Sequence, residues 1–117
     1  MLNQLVEYML TAPLDTIYQA LSHPVRRDLV GRLSRVGGRG VRVTELAAPY
    51  AISLAAVSKH IQVLEDSGLV RRSIVGREHF LALQPKPLDD AAGWIAQCQR
   101  FWTERLDRLE TLLRERS

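Results

Sequence analysis

Apolar residues recur along most of this chain at the three- and four-residue steps of a helix, and give way once to short apolar runs broken by turn residues. Residues 1–10 are apolar-rich and read as a short helix, with Thr11-Ala12-Pro13 as a break. Residues 14–21 read as a helix with Ile17, Ala20 and Leu21 facing inward. Pro24 then suits the first turn of a helix, where its missing N–H costs nothing, and Val25, Leu29, Val30 and Leu33 form the buried stripe behind it. Val36-Gly37-Gly38-Arg39-Gly40 is expected to end that helix in a flexible loop. A short helix from about Thr44 to Ala48 offers Leu46 and Ala47 to a core, and Pro49 removes one late hydrogen bond, so this helix should end early.

Residues 53–83 carry the most information. Ser53 is a good N-cap, Val57, Ile61 and Leu64 make a stripe at helical spacing, and Ser67-Gly68 supplies a C-terminal cap. Leu54, Ala55, Ser58, Lys59 and Gln62 fall on the opposite face, which is short, polar and lightly basic. Beyond the cap the pattern turns to β. Leu69-Val70 and Phe80-Leu81-Ala82-Leu83 bracket a tip at Val75-Gly76-Arg77-Glu78, with Arg71, Arg72 and Arg77 spread over strand and tip. A guanidinium on a hairpin tip suits the negative potential of a DNA minor groove. The same arginines equally suit a solvated surface hairpin.

The final segment is the second major feature. Pro85 and Pro87 are expected to break the chain, and Asp89-Asp90 to sit in the first turn of a new helix, where carboxylates favour its dipole. Leu88, Ala92, Ile95, Cys98, Trp102, Leu106, Leu109 and Leu113 then recur at steps of three or four. Trp94 and Phe101 widen this face. So long a stripe exceeds what a small domain can cover, which points to a second chain, with part of it packing on the N-terminal helices of its own chain.

At 117 residues the chain is read as one domain, small enough that a dimer interface would help its stability. Nothing in it is long and apolar enough to span a membrane, and the N-terminus lacks the basic region of a signal peptide. The single cysteine excludes an intramolecular disulfide and fits a reducing cytoplasm, the expected location. The net charge of +3 is unevenly placed: residues 26–77 hold ten basic side chains against four acidic, and residues 86–117 hold six of each. The positive field thus sits on the half that contains the helix and hairpin, where phosphate neutralisation would need it.

Residues 45–70, ELAAPYAISLAAVSKHIQVLEDSGLV, followed by RRSIVGREHFLAL, resemble the helix-turn-helix and wing of the ArsR-type winged-helix transcriptional repressors. ALSHPVRRDLVGRL, residues 20–33, resembles the segment these proteins place just before it. The likeness spans roughly residues 14–113 and is most specific at Ala20-Leu21-Ser22-His23-Pro24 with Arg26-Arg27, at Val57-Ser58-Lys59-His60, and at Gly68-Leu69-Val70 leading to Gly76-Arg77. It departs from the family pattern at Pro49 and at Ala51, which replaces the glycine common in the turn. The resemblance implies a mainly α fold with a small β-hairpin, a winged helix-turn-helix whose first and last helices form a dimer interface. On this reading residues 44–67 are the helix-turn-helix, 69–83 the wing and 88–115 the dimerisation helix, with 1–13 as an extension.

The partners implied are double-stranded DNA, as an inverted-repeat operator, and a second copy of the chain. Ser53, Ser58, Lys59 and Gln62 are expected to read or position in the major groove, with Leu54 and Ala55 beside them, and Arg77 to meet the flanking minor groove or its phosphates. Arg26, Arg27, Arg71 and Arg72 are candidates for phosphate contacts or for salt bridges to Asp28, Glu65 or Asp66. His60 reads either as a DNA contact or as a structural hydrogen-bonding residue, His23 as a cap residue and His79 as partly exposed.

Metal-binding members of the family pair cysteines on the first helix of the helix-turn-helix, or His and carboxylates on the last helix. Here residues 44–48 have no cysteine and the last helix has no histidine, so no metal, cofactor or catalytic residue is expected. No Gly-rich phosphate loop, His-x-x-x-His pair or nucleophile elbow is present. Cys98 is expected as a small buried hydrophobe. The function expected is a homodimeric repressor of its own or a neighbouring promoter, independent of metal. The alternatives are a thiol- or ligand-responsive sensor of the same fold and a winged-helix protein-interaction module that binds no DNA.

Overall fold

A computed structural model describes residues 14–116; the expected extension over residues 1–13, with its helix and break, lies outside the described residues. Helix α1 occupies residues 14–20, and Ile17 and Ala20 are buried as their spacing requires. Helix α2 (Pro24–Val36) starts with proline in its first turn and with His23 as cap, the imidazole Nδ1 accepting from the Val25 N–H at 3.1 Å. Its inward stripe is Leu29, Val30 and Leu33.

The glycine-rich segment after α2 is more ordered than its composition suggests. A 3₁₀ turn (Gly37–Arg39) leads into a two-residue strand β1 (Val41–Arg42), which sequence periodicity is too short to reveal. Gly40, at φ +79°, lies so close to the sheet that a Cβ would stand 3.4 Å from the Leu81 carbonyl oxygen. A left-handed φ that side chains rarely adopt, not flexibility, is what this glycine supplies. Helix α3 (Val43–Ala47) ends before Pro49 as expected, and α4 (Leu54–Asp66) follows.

Strands β2 (Val70–Val75) and β3 (Glu78–Leu83) form an antiparallel hairpin in the register Val70↔Leu83 to Val75↔Glu78, and β1 adds to the far edge of β3 through Val41↔Leu81. The sheet order is β1-β3-β2. One face carries Val70, Arg72, Leu81 and Leu83 toward the helices; the other carries Arg71, Ser73 and Phe80. The core joins Leu29, Leu33, Leu46, Val57, Ile61, Leu64, Leu69 and Leu81, all essentially inaccessible to solvent.

Helix α5 (Pro85–Arg116) runs 32 residues, about 48 Å at helical rise. Two expectations are corrected here. Pro85 and Pro87 do not break the chain but occupy the first turn, whose N–H groups have no helical acceptor in any case. Asp89 and Asp90 therefore fall beyond the first turn, and Asp90 pairs instead with Lys86 at 3.0 Å, an exposed i,i+4 contact of small energetic weight. Among the described residues, the helix docks on its own chain only near its start. Ala91 is buried and its carbonyl accepts from the Tyr18 hydroxyl at 3.0 Å, while the Trp94 ring meets Tyr18 edge-on at 6.1 Å. Leu88, expected in an intermolecular stripe, packs against the chain's own core.

Candidate nucleic-acid interface

Helix α4 is fixed at both ends by side-chain and backbone chemistry visible in its sequence. The Ser53 hydroxyl accepts from the Ala56 N–H at 3.1 Å. At the other end Gly68, at φ +79°, donates to the Glu65 carbonyl at 3.0 Å and Leu69 donates to Leu64 at 3.1 Å. These are the paired bonds of a Schellman cap, with Leu64 and Leu69 both buried beneath it. Val57, Ile61 and Leu64 are locked into the core, so the register of the opposite face is set: Leu54, Ala55, Lys59 and Gln62 are exposed and Ser58 is half-buried. Gln62 lies along the helix, donating to Asp66 at 2.8 Å.

The turn before α4, where Pro49 and Ala51 depart from the family pattern, is held by a residue that the sequence reading did not single out. The Arg32 guanidinium reaches from α2 to donate to the Leu46 carbonyl at 2.8 Å and the Glu45 carbonyl at 3.4 Å, capping the truncated end of α3. It also donates to the Tyr50 hydroxyl at 3.3 Å and lies 5.6 Å over the Tyr50 ring, while that hydroxyl donates to Asp28. Burial, with the hydrogen bond to Asp28, raises the Tyr50 pKa. A cation on the carbonyls of a helix C-terminus is favourable by charge as well as by hydrogen bonding. The only sequence signal for this role was an arginine next to the inward stripe of α2.

The arginines divide into two groups. Arg26 donates to the Ala20 carbonyl at 2.7 Å and the Gln19 carbonyl at 3.2 Å, closing the end of α1, and Arg27 donates to the Leu21 carbonyl at 2.8 Å. Arg72 pairs with Glu65 of α4 at 2.6 Å and contacts His79 at 3.0 Å, tying the wing to the helix. All three carry out structural tasks in this chain. Lys59, Arg71 and Arg77 are exposed and have no hydrogen-bond or ion-pair partner among the described residues.

His60 stands between these groups. Its Nδ1 lies 3.2 Å from Arg26 Nη1, and its ring is 4.3 Å from that of His23. Arginine can only donate, so Nδ1 accepts and the His60 proton sits on Nε2. Burial first, then the charges of His23 and Arg26, lower the His60 pKa. The ring thus joins α4 to the start of α2 in its neutral form.

The wing tip is a two-residue loop of Gly76 and Arg77 between the paired residues Val75 and Glu78. Gly76 has φ +64° and Arg77 does not have positive φ, the pattern of a type II′ turn, which follows the twist of the strands and presents Arg77 outward. The strands are longer than their apolar runs suggested, because Arg71, Arg72 and Ser73 continue the ladder. Between wing and helix lies a cleft of about 360 Å³. Leu54 and Ser58 line it from α4, Val43 and Thr44 from α3, and Arg72, Arg77 and His79 from the wing. Arg42 and Glu78, paired at 3.3 Å, close its edge, with Arg42 over the Phe80 ring. Arg42 escaped the sequence reading because β1 did.

The stripe of α5 beyond residue 94 lies open. Ile95, Trp102, Leu106, Leu109 and Leu113 are 44 to 64% exposed, with Phe101 and Leu112 beside them. Ala92 and Cys98 are exposed too, so the cysteine is not the buried hydrophobe expected of it within a single chain. Among the described residues no three His, Cys, Asp or Glu side chains converge as metal ligands, and no helix is long and apolar enough to cross a membrane.

Comparison with known proteins agrees with this geometry. A helix-turn-helix domain model matches residues 21–73, from the end of α1 into the wing. The HTH-type transcriptional regulator Rv2034 of Mycobacterium tuberculosis is 35% identical over 92 residues, 79% of this chain and 80% of that protein. A crystal structure of an ArsR family transcriptional regulator superposes with a TM-score of 0.72 at 39% identity, covering 79% of this chain and 92% of that one. An ArsR-like transcriptional regulator from Rhodococcus sp. RHA1 gives 0.71 at 26% identity over 88% of this chain and 94% of that one. With its recognition helix capped at both ends, its wing paired and relatives similar over most of its length, the chain belongs to the ArsR-type winged helix-turn-helix family of DNA-binding transcriptional regulators.

Proposed function

We propose that the protein is a homodimeric repressor that binds an inverted-repeat operator at its own or a neighbouring promoter. The observation that carries this reading is the cleft shared by Arg77 of the wing tip and Ser58 of α4, with Arg77 and the neighbouring Lys59 lacking a partner among the described residues. Ser53, Ser58, Lys59 and Gln62 are the proposed major-groove residues, with Leu54 and Ala55 at the close-approach end. Arg77 is proposed for the minor groove or its phosphates and Arg71 for phosphate. Arg26, Arg27, Arg72 and His60 act on the DNA indirectly, by holding α4 and the wing in position, since their polar groups are engaged within the chain.

The second half of the proposal is the dimer. The open stripe from Ile95 to Leu113 is a face that water disfavours and that the chain's own core does not reach. A two-fold pairing of α5, with α1 alongside, would cover it and set two recognition helices for half-sites roughly 34–36 Å apart. Binding takes no metal or cofactor on this reading, because residues 44–48 hold no cysteine and the last helix no histidine. Exposure of Cys98 favours one second reading, a thiol-responsive regulator in which two such residues meet across the dimer.

Footprinting after selection from a random duplex pool tests the proposal, with and without zinc, cadmium, arsenite and peroxide. A protected inverted repeat, unchanged by the additions and by Cys98→Ser, is expected. No preference over bulk competitor at low salt sinks the repressor reading; a response lost in Cys98→Ser makes the protein a sensor.

A further inference from the structure

The first turn of α4 is apolar where a solvent-facing helix gains most from acids. Leu54-Ala55-Ala56 follows the Ser53 cap with no carboxylate in the turn, although Asp or Glu there would interact favourably with the helix dipole. Leu54 is 55% exposed, and Ile52 just before the cap is 43% exposed. A single exposed leucine needs no explanation. This one has a particular setting: it shares the wall of the cleft with Ser58, one helical turn on, and with Arg77 of the wing. A surface that combines a cation without a partner among the described residues, a hydroxyl and an apolar side chain suits a partner presenting anionic, hydrogen-bonding and apolar groups along one cleft.

The major groove of DNA offers that combination at one base. Thymine presents a C5 methyl group, the apolar feature of the base edges there, beside its O4 acceptor and the flanking phosphates. From this juxtaposition we infer that Leu54, flanked by Ile52, reads thymine by contact with its methyl group, so that each operator half-site carries a thymine beneath the N-terminal end of α4. The inference rests on the DNA-binding reading and assigns it a specificity-determining residue. Absence of a carboxylate from the first turn follows from the same geometry, because an acid at this depth would face the phosphates.

The test uses the full chain and a duplex recovered by selection from a random pool, compared with the same duplex carrying uracil for thymine in the half-sites. Uracil keeps the pairing and the O4 acceptor and lacks only the methyl. Loss of one buried methyl contact corresponds to an affinity drop of about fourfold per half-site. Leu54→Ala should bind the thymine duplex more weakly by a similar factor and show no further loss on uracil. Equal binding of both duplexes by the unaltered protein overturns the inference while leaving DNA binding intact, as does selection of half-sites without thymine. Undiminished uracil sensitivity in Leu54→Ala assigns the methyl contact to another residue and overturns it as well. Failure to bind any duplex removes the DNA-binding reading and this inference together.

Discussion

Helices α4 and α5 carry apolar residues at the same spacing, yet the fold treats them in opposite ways. Val57, Ile61 and Leu64 of α4 are sealed from solvent, whereas Ile95, Trp102 and Leu109 of α5, at the same helical periodicity, stand about half exposed or more. The difference lies in what surrounds each helix. α4 is enclosed by α2, α3 and the hairpin, while α5 leaves the body of the domain after touching it through Leu88, Ala91 and Trp94. An amphipathic pattern demands a cover without naming it. In α4 the cover is intramolecular and the polar face is left for a partner; in α5 the apolar face itself is what remains.

The largest expected effect comes from attacking the open stripe. Trp102→Ala combined with Leu109→Asp should release monomers and abolish operator binding while circular dichroism retains most of the helical signal. Binding that survives with unchanged affinity would place the interface elsewhere. On the sealed side, Leu64→Ala should cost about 2–5 kcal/mol of stability, as truncation in a packed core does, and the loss should be independent of protein concentration. Leu109→Ala should behave differently, lowering the thermal midpoint by an amount that shrinks as concentration rises, because mass action restores a dimer. Concentration-independent losses in both variants would erase the contrast between the helices.

Smaller effects sharpen the division within the DNA face. Arg77→Ala should weaken binding to all duplexes and reduce the salt slope by about one. Ser58→Ala or Gln62→Ala should shift the preferred sequence, at a cost on the order of 1–3 kcal/mol for a lost base contact. Three identical, sequence-independent losses would show that helix and wing do not divide the work in this way.

The sequence revealed α4 almost to the residue because every signal there is local: a serine cap, three apolar residues one turn apart and a glycine with two bonds to satisfy. α5 was legible in its stripe but not at its start, since Pro85 and Pro87 are compatible with both a break and a first turn, and the hydrogen bonds that decide are not written in composition. β1 was invisible because two residues pair only through tertiary contact with Leu81 and Phe80. The same distance in sequence hid Arg32, which acts on carbonyls 13 and 14 residues away. Residue type did not separate structural from free arginines; Arg72 and Arg71 are neighbours, and strand alternation sends one to Glu65 and the other to solvent.

A pH dependence follows from the ring that anchors α4. The folded chain holds the His60 pKa below the unfolded value of about 6.5, so between the two values the unfolded chain takes up a proton that the folded one resists. The stabilising contribution is complete above about pH 6.5 and is lost as pH falls through that window. Urea midpoints at pH 8 and 5.5 should therefore differ more for the unaltered protein than for His60→Asn, which cannot titrate. Equal differences would remove His60 from the account.

Sedimentation equilibrium of the purified chain at micromolar concentration tests most directly whether the face that α5 leaves open belongs to a second copy. A mass near twice 13.2 kDa, falling toward the single value on dilution or in the Trp102→Ala, Leu109→Asp variant, is the predicted result. A single species at 13.2 kDa across the whole concentration range would contradict it.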